Sequence, residues 1–165
     1  MKELFIVRHG KSDWNHPEIK DIDRPLKVRG VVDAERMGAY IKSNYTLPGI
    51  CYTSPACRAT HTALIFMRCM NIETSRLQIL NSIYLASFND LKELVKMFPE
   101  KVDSAMLVGH NPGITDLANS YIHNRIQNIP TSGFVHLVFE SGTWKGTSYK
   151  VLSDFTFHFP KEFYA

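Results

Sequence analysis

The chain has 165 residues, of which 44% are hydrophobic and 21% charged, with a formal charge of +3. That length suits one domain, residues 1–165, whose core needs neither disulfides nor metal, and that charge does not by itself indicate nucleic acid or membrane. Cys51, Cys57 and Cys69 are odd in number and form no C-x-x-C pair, which argues against a disulfide framework and for a reducing compartment.

Residues 4–7, Leu-Phe-Ile-Val, read as a buried strand of a parallel sheet that runs straight into Arg8, His9 and Gly10. Residues 11–25 are polar and carry Pro17 and Pro25, so they read as loop. After Gly30, the spacing of Val31, Ala34, Met37 and Ile41 predicts a helix ending near Asn44. Residues 50–53 form a short strand. Ser54-Pro55 then supplies an N-cap and a first-turn proline for a helix through Ala59, Ala63, Met67 and Met70. A strand over 77–80 and a helix over 90–98 follow. Residues 105–108 repeat the first pattern, an apolar strand running into Gly109-His110, and Asn111-Pro112 repeats the cap-plus-proline start for a helix with Ile114, Leu117, Ala118, Tyr121 and Ile122 on its apolar face. The tail reads as two strands, 134–139 and 149–159. The alternation predicts an α/β fold, a three-layer α/β/α sandwich with a mostly parallel central sheet and an antiparallel addition at its end.

Ligands of such sheets bind beyond the carboxyl ends of the strands. Three strand-to-helix junctions carry basic or imidazole groups there: Arg8 and His9, then Arg58 one turn into its helix, then His110. Gly10 lets the backbone turn away without a Cβ. If the strands are parallel, two arginines, two histidines and two helix N-termini converge on one edge, a site for a tetrahedral dianion.

These motifs, RHG within RHGKSDWN at 8–15, DRPLKVRG at 23–30, SPACRATHTA at 54–63 and LVGHNPGI at 107–114, resemble the histidine phosphatase superfamily and, within it, its small SixA-type branch of phosphohistidine phosphatases. The resemblance covers residues 4 to about 125 and implies a phosphoglycerate mutase-like fold. It implies that His9 is the nucleophile, neutral at the attacking nitrogen and oriented through the other. Arg8 and Arg58 would clamp phosphoryl oxygens, and His110 would donate to the transferring group, preferably as imidazolium. Asn15, Arg24, Gly10 and Asn111 are the expected substrate contacts. An Asx turn is an equal reading of Asn15, and a surface ion pair of Arg24. No metal and no cofactor is called for.

Two departures bear on the substrate. Asn111, not aspartate, follows His110, and Leu85 stands where some relatives have glutamate. A missing acid matters little when imidazole leaves a phosphoramidate, whereas an alkoxide gains roughly 10²–10⁴-fold from one. Fifty-two residues on from Arg58 comes His110, and a helix, a strand and a helix use up the interval. No segment remains for a large lid, and an open site suits phosphate borne on a protein. The expectation is a cytoplasmic phosphohistidine protein phosphatase that binds neither nucleic acid nor membrane and is able to act as a monomer. The alternatives are a small-molecule phosphomonoesterase or mutase, or a non-catalytic phosphate-binding module. Leu4 to Val7 is too brief for a secretory signal segment. Lys11, Lys20 and Lys27 read as a basic rim, His61 as a partly buried helix residue and Cys57 as a packing residue.

Overall fold

The computed structural model describes residues 1–164. Six strands, β1 (Lys2–Arg8), β2 (Ile50–Thr53), β3 (Leu77–Ile79), β4 (Ser104–Gly109), β5 (Phe134–Phe139) and β6 (Leu152–His158), form one sheet in the order β3-β2-β4-β1-β5-β6. The first four are mutually parallel, and β5 and β6 add antiparallel at the β1 side. The helices are α1 (Val28–Asn44), α2 (Cys57–Met70), α3 (Phe88–Lys96) and α4 (Gly113–Asn119). Among the described residues no helix is long and apolar enough to cross a membrane.

The unbroken apolar run of β1 follows from burial on both faces. Leu4 and Ile6 join a core with α3 and α4, while Phe5 and Val7 join a second core with α1 and α2. Successive side chains of a strand point to opposite faces, and β4 divides the same way, Ala105 and Leu107 to one core, Met106 and Val108 to the other. Two helices per face give the three layers. β1 and β4 are hydrogen-bonded neighbours, with Arg8 opposite Gly109, so the two histidines that follow them emerge side by side.

Both cap-plus-proline readings need correction. α2 begins at Cys57, and Ser54 Oγ accepts from the Ala56 amide (3.2 Å), ahead of the helix. α4 begins at Gly113 after a cis Asn111–Pro112 bond and ends at Asn119, so Tyr121 and Ile122 lie past it. α3 starts at Phe88, capped by a reciprocal pair in which Asp90 N–H donates to Ser87 Oγ and Ser87 N–H to Asp90. The last strand is shorter than expected because Tyr149–Val151 forms a 3-10 turn. His61 and Cys57 are exposed rather than packed.

Candidate active site

β1 delivers His9 to the carboxyl edge of the sheet, where it is 9% exposed. Its Nδ1 lies 2.7 Å from the Gly10 carbonyl oxygen, which can only accept, so Nδ1 carries the proton and Nε2 keeps its lone pair. Burial, and the charges of Arg58 and Arg8, press its pKa down to about 3, leaving the ring neutral at pH 7. The His110 ring centre is 5.1 Å away, about the width of a phosphoryl group.

His110 sits between Ser54 and Arg58. Arg58 Nη2 donates towards Nδ1 at 3.5 Å, so Nε2 carries the hydrogen and donates to Ser54 Oγ at 2.7 Å. Burial and then Arg58 lower its pKa to about 4. His110 is therefore neutral in this structure at pH 7, whereas the imidazolium expected of it is that of a ring with phosphate charge beside it.

The arginines are held by their Nη ends. Arg8 Nη1 donates to Ile129 carbonyl (3.0 Å) and Asn128 Oδ1 (3.2 Å). Arg24 donates to Ser12 Oγ and Asp21 Oδ1 and stacks on Trp14, 3.6 Å from the ring centre. Arg58, 3% exposed, donates to the Asp21 carbonyl (2.6 Å) and to Asp21 Oδ2 (3.0 Å). All three leave Nε buried and without a partner. A buried donor left unpaired costs about 1–3 kcal/mol, so three of them around two histidines mark a place for acceptor oxygens.

Asp21, in a 3-10 turn (Asp21–Asp23) of the loop after β1, joins these groups; its Oδ2 also accepts from Tyr84 hydroxyl at 2.6 Å. That hydrogen bond, with those from Arg24 and Arg58, holds its carboxyl well below the usual range. Asp21, Tyr84 and Ser54 escaped sequence reasoning. Two acids just ahead of Arg24-Pro25 were the available signal for the first, whereas Ser54 was read only as a helix cap.

The remaining expected contacts divide. A cleft of about 360 Å³ is lined by Arg8, His9, Lys11, Trp14, Arg24 and Thr131, among others, which brings Arg24 to the site. Asn15 is exposed and off this wall, its amide donating to Asp13 Oδ1. The Gly10 amide is already spent on Thr62 Oγ1 at 2.8 Å, and φ there is not positive; a Cβ would instead meet the Gly30 carbonyl at 2.9 Å. Asn111 is likewise committed, its Nδ2 donating to Asn128 Oδ1 and Ile129 carbonyl and its Oδ1 accepting from Thr115. It braces the segment that holds Arg8. Leu85 is 61% exposed in a left-handed conformation (φ 50). No group of three or more metal-binding side chains occurs among the described residues.

Residues 4–116 match the model of the histidine phosphatase superfamily (branch 1), and the chain belongs to that superfamily. Phosphoglycerate mutase 1 of Saccharomyces cerevisiae is 37% identical over 67 residues, 39% of this chain and 27% of the mutase. The chain thus spans about a quarter of the length of that relative. An uncharacterised chloroplastic protein of Arabidopsis thaliana is 24% identical over 130 residues, 72% of this chain and 58% of that one. Among solved structures, the protein histidine phosphatase SixA complexed with tungstate superposes with a TM-score of 0.79 at 19% identity, covering 98% of this chain and 99% of that one. SixA from Agrobacterium tumefaciens gives 0.77 at 24%, covering 94% and 97%. At these identities the likeness is one of fold, and it bears out the phosphoglycerate mutase-like architecture.

Proposed function

We propose that the chain is a cofactor-independent phosphatase whose nucleophile is His9 and whose preferred substrate is phosphohistidine in a protein. The observation that carries this reading is the fixed tautomer of His9. With Nδ1–H on the Gly10 carbonyl, the Nε2 lone pair is free and the ring neutral at pH 7.

In the reaction so read, Nε2 attacks phosphorus, the bond to the substrate nitrogen breaks, and the phosphoryl group passes to His9. The free Nε–H groups of Arg8 and Arg58 supply donors to its oxygens. A dianion beside His110 raises that ring's proton affinity, turning it from acceptor of Arg58 to donor. Water then attacks the phosphohistidine, releasing phosphate and restoring His9.

The choice of a P–N substrate rests on the acid. Asp21 is the carboxyl group bound to this cluster, and its three donors hold it ionised, unfit to protonate a leaving alkoxide. A phosphohistidine already protonated on its second ring nitrogen leaves as neutral imidazole and needs no proton from the protein. Phosphohistidine is also the substrate class in the name of the neighbour from Agrobacterium tumefaciens. Three unpaired cysteines fit a reducing, cytoplasmic setting.

The test compares a phosphohistidine-bearing protein, an alkyl phosphomonoester and p-nitrophenyl phosphate on the wild type and on His9→Ala. Expected are kcat/KM for phosphohistidine at least about 10²-fold above the alkyl ester, and a loss of at least about 10³-fold in His9→Ala. Faster alkyl ester turnover overturns the P–N assignment, and retained turnover in His9→Ala overturns the nucleophile.

A further inference from the structure

A second cleft adjoins the one over His9. It encloses about 580 Å³ and shares Lys11 and Thr131 with its neighbour, while Arg29, Asp33, Phe159 and Lys161 form much of its remaining wall. Its charge is one-sided. Among the described residues Asp33 is the one carboxylate on that wall, and it is already engaged by Arg29 Nε at 3.5 Å and by the Tyr164 hydroxyl. Lys11 and Lys161 form no ion pair among the described residues, and both are exposed. Arg29 lies in the first turn of α1, whose amide end adds potential of the same sign.

We infer that this adjoining cleft is a second anion subsite, which takes an acidic stretch of polypeptide while the phosphoryl group of the same substrate sits at His9; the inference rests on the phosphatase reading above. Two arguments select an acidic polypeptide. Taken as adjoining spheres, clefts of about 360 and 580 Å³ have centres about 10 Å apart, the reach of about three residues of extended chain. Phe159, with Pro130 and Pro160, gives the wall an apolar part, which suits the methylenes of a glutamate side chain as well as its charge.

The probes are two peptides carrying one phosphohistidine each, with glutamates or with glutamines at the second and third residues on either side. At low salt the glutamate peptide has a KM about fivefold below its glutamine twin, and the gap closes as salt screens exposed charges. Lys161→Glu reverses the preference, Arg29→Gln weakens it, and p-nitrophenyl phosphate turnover by Lys161→Glu stays at the wild-type value. Equal KM values for the two peptides, or a preference that survives Lys161→Glu, overturn the subsite. If p-nitrophenyl phosphate is hydrolysed and neither peptide is, the phosphohistidine reading fails on its own. Fluorescence anisotropy of the same peptides on His9→Ala then decides the subsite: a Lys161-dependent glutamate preference supports it, and equal binding rejects it.

Discussion

Asp21 shows how much of this site is carried by a residue that does no chemistry. Its carbonyl and carboxylate take both Nη atoms of Arg58, one of Arg24 and the hydroxyl of Tyr84. Hydrogen bonds of this charged kind contribute about 1.5–3 kcal/mol each, chiefly here by fixing where two guanidinium forks stand. Asp21→Ala is therefore expected to lower kcat/KM for p-nitrophenyl phosphate about tenfold, since Arg58 and Arg24 each lose one of two anchoring bonds, Arg58 keeping the backbone carbonyl and Arg24 keeping Ser12, with the far-ultraviolet circular dichroism unchanged. Steady-state kinetics on the variant check it; unaltered kinetics mean that Arg58 holds its place without Asp21. His9 and its neighbours were legible in the chain because a strand ending in Arg-His-Gly presents them at the sheet edge. Asp21 was not, because its partners lie 3, 37 and 63 positions away and no local pattern joins them. Ser54 and Asn111 were misread for a related reason: each has the chemistry of a helix cap, and each spends its side chain on the site, Ser54 on His110 and Asn111 on the segment under Arg8.

At the scale of elements, the loop after β1 is set by its contact with the first turns of α1. The Lys27 amide donates to the Lys11 carbonyl at 2.8 Å, and a Cβ on Gly30 would stand 2.3 Å from that same oxygen. Elsewhere in a helix interior, alanine in place of glycine gains up to about 1 kcal/mol. Here the sign is expected to reverse. Gly30→Ala must push Lys11 and the neighbouring His9–Gly10 backbone aside, which costs about 1–3 kcal/mol by overpacking and lowers activity as well. Urea denaturation measures the first and p-nitrophenyl phosphate turnover the second; a stabilised, fully active variant refutes the contact. Strands β1, β2, β4 and β5 lie within two residues of their expected bounds, since burial on two faces leaves a plain apolar run. Helices α2 and α4 begin two residues and one residue after the prolines expected to start them, because prolines 55 and 112 sit in the turns that carry the site and not in the helices.

For the whole molecule, sheet order and core division follow from topology that a linear pattern only outlines: the parallel run was expected, and the placing of β1 between β4 and β5 came from pairing. We propose that residues 1–165 unfold as one unit, since both cores share the one sheet. The buried histidines give that transition a pH dependence of known sign. His9 and His110 are depressed to about 3 and about 4, and burial lowers His136 as well. Above about pH 6.5 folded and unfolded chains both hold them neutral and stability is flat. Below it the unfolded chain takes up protons that the folded one refuses, so stability declines as pH falls towards 4, by up to about 2 kcal/mol for each of His9 and His110 at pH 5. Urea melts at pH 7 and pH 5, followed by tryptophan fluorescence and circular dichroism together, are expected to coincide and to shift down, with a smaller shift in His110→Asn. Separate transitions contradict the single unit, and an equal shift in the variant contradicts the neutral His110.

In the proposed reaction the free Nε2 of His9 accepts the phosphoryl group. Rapid quench of the wild type during turnover of a ³²P-labelled substrate tests it most directly. Expected is a protein-bound phosphoryl group that is labile in acid and stable in base, and absent from His9→Ala. An adduct with the opposite stability, or one that persists without His9, contradicts it.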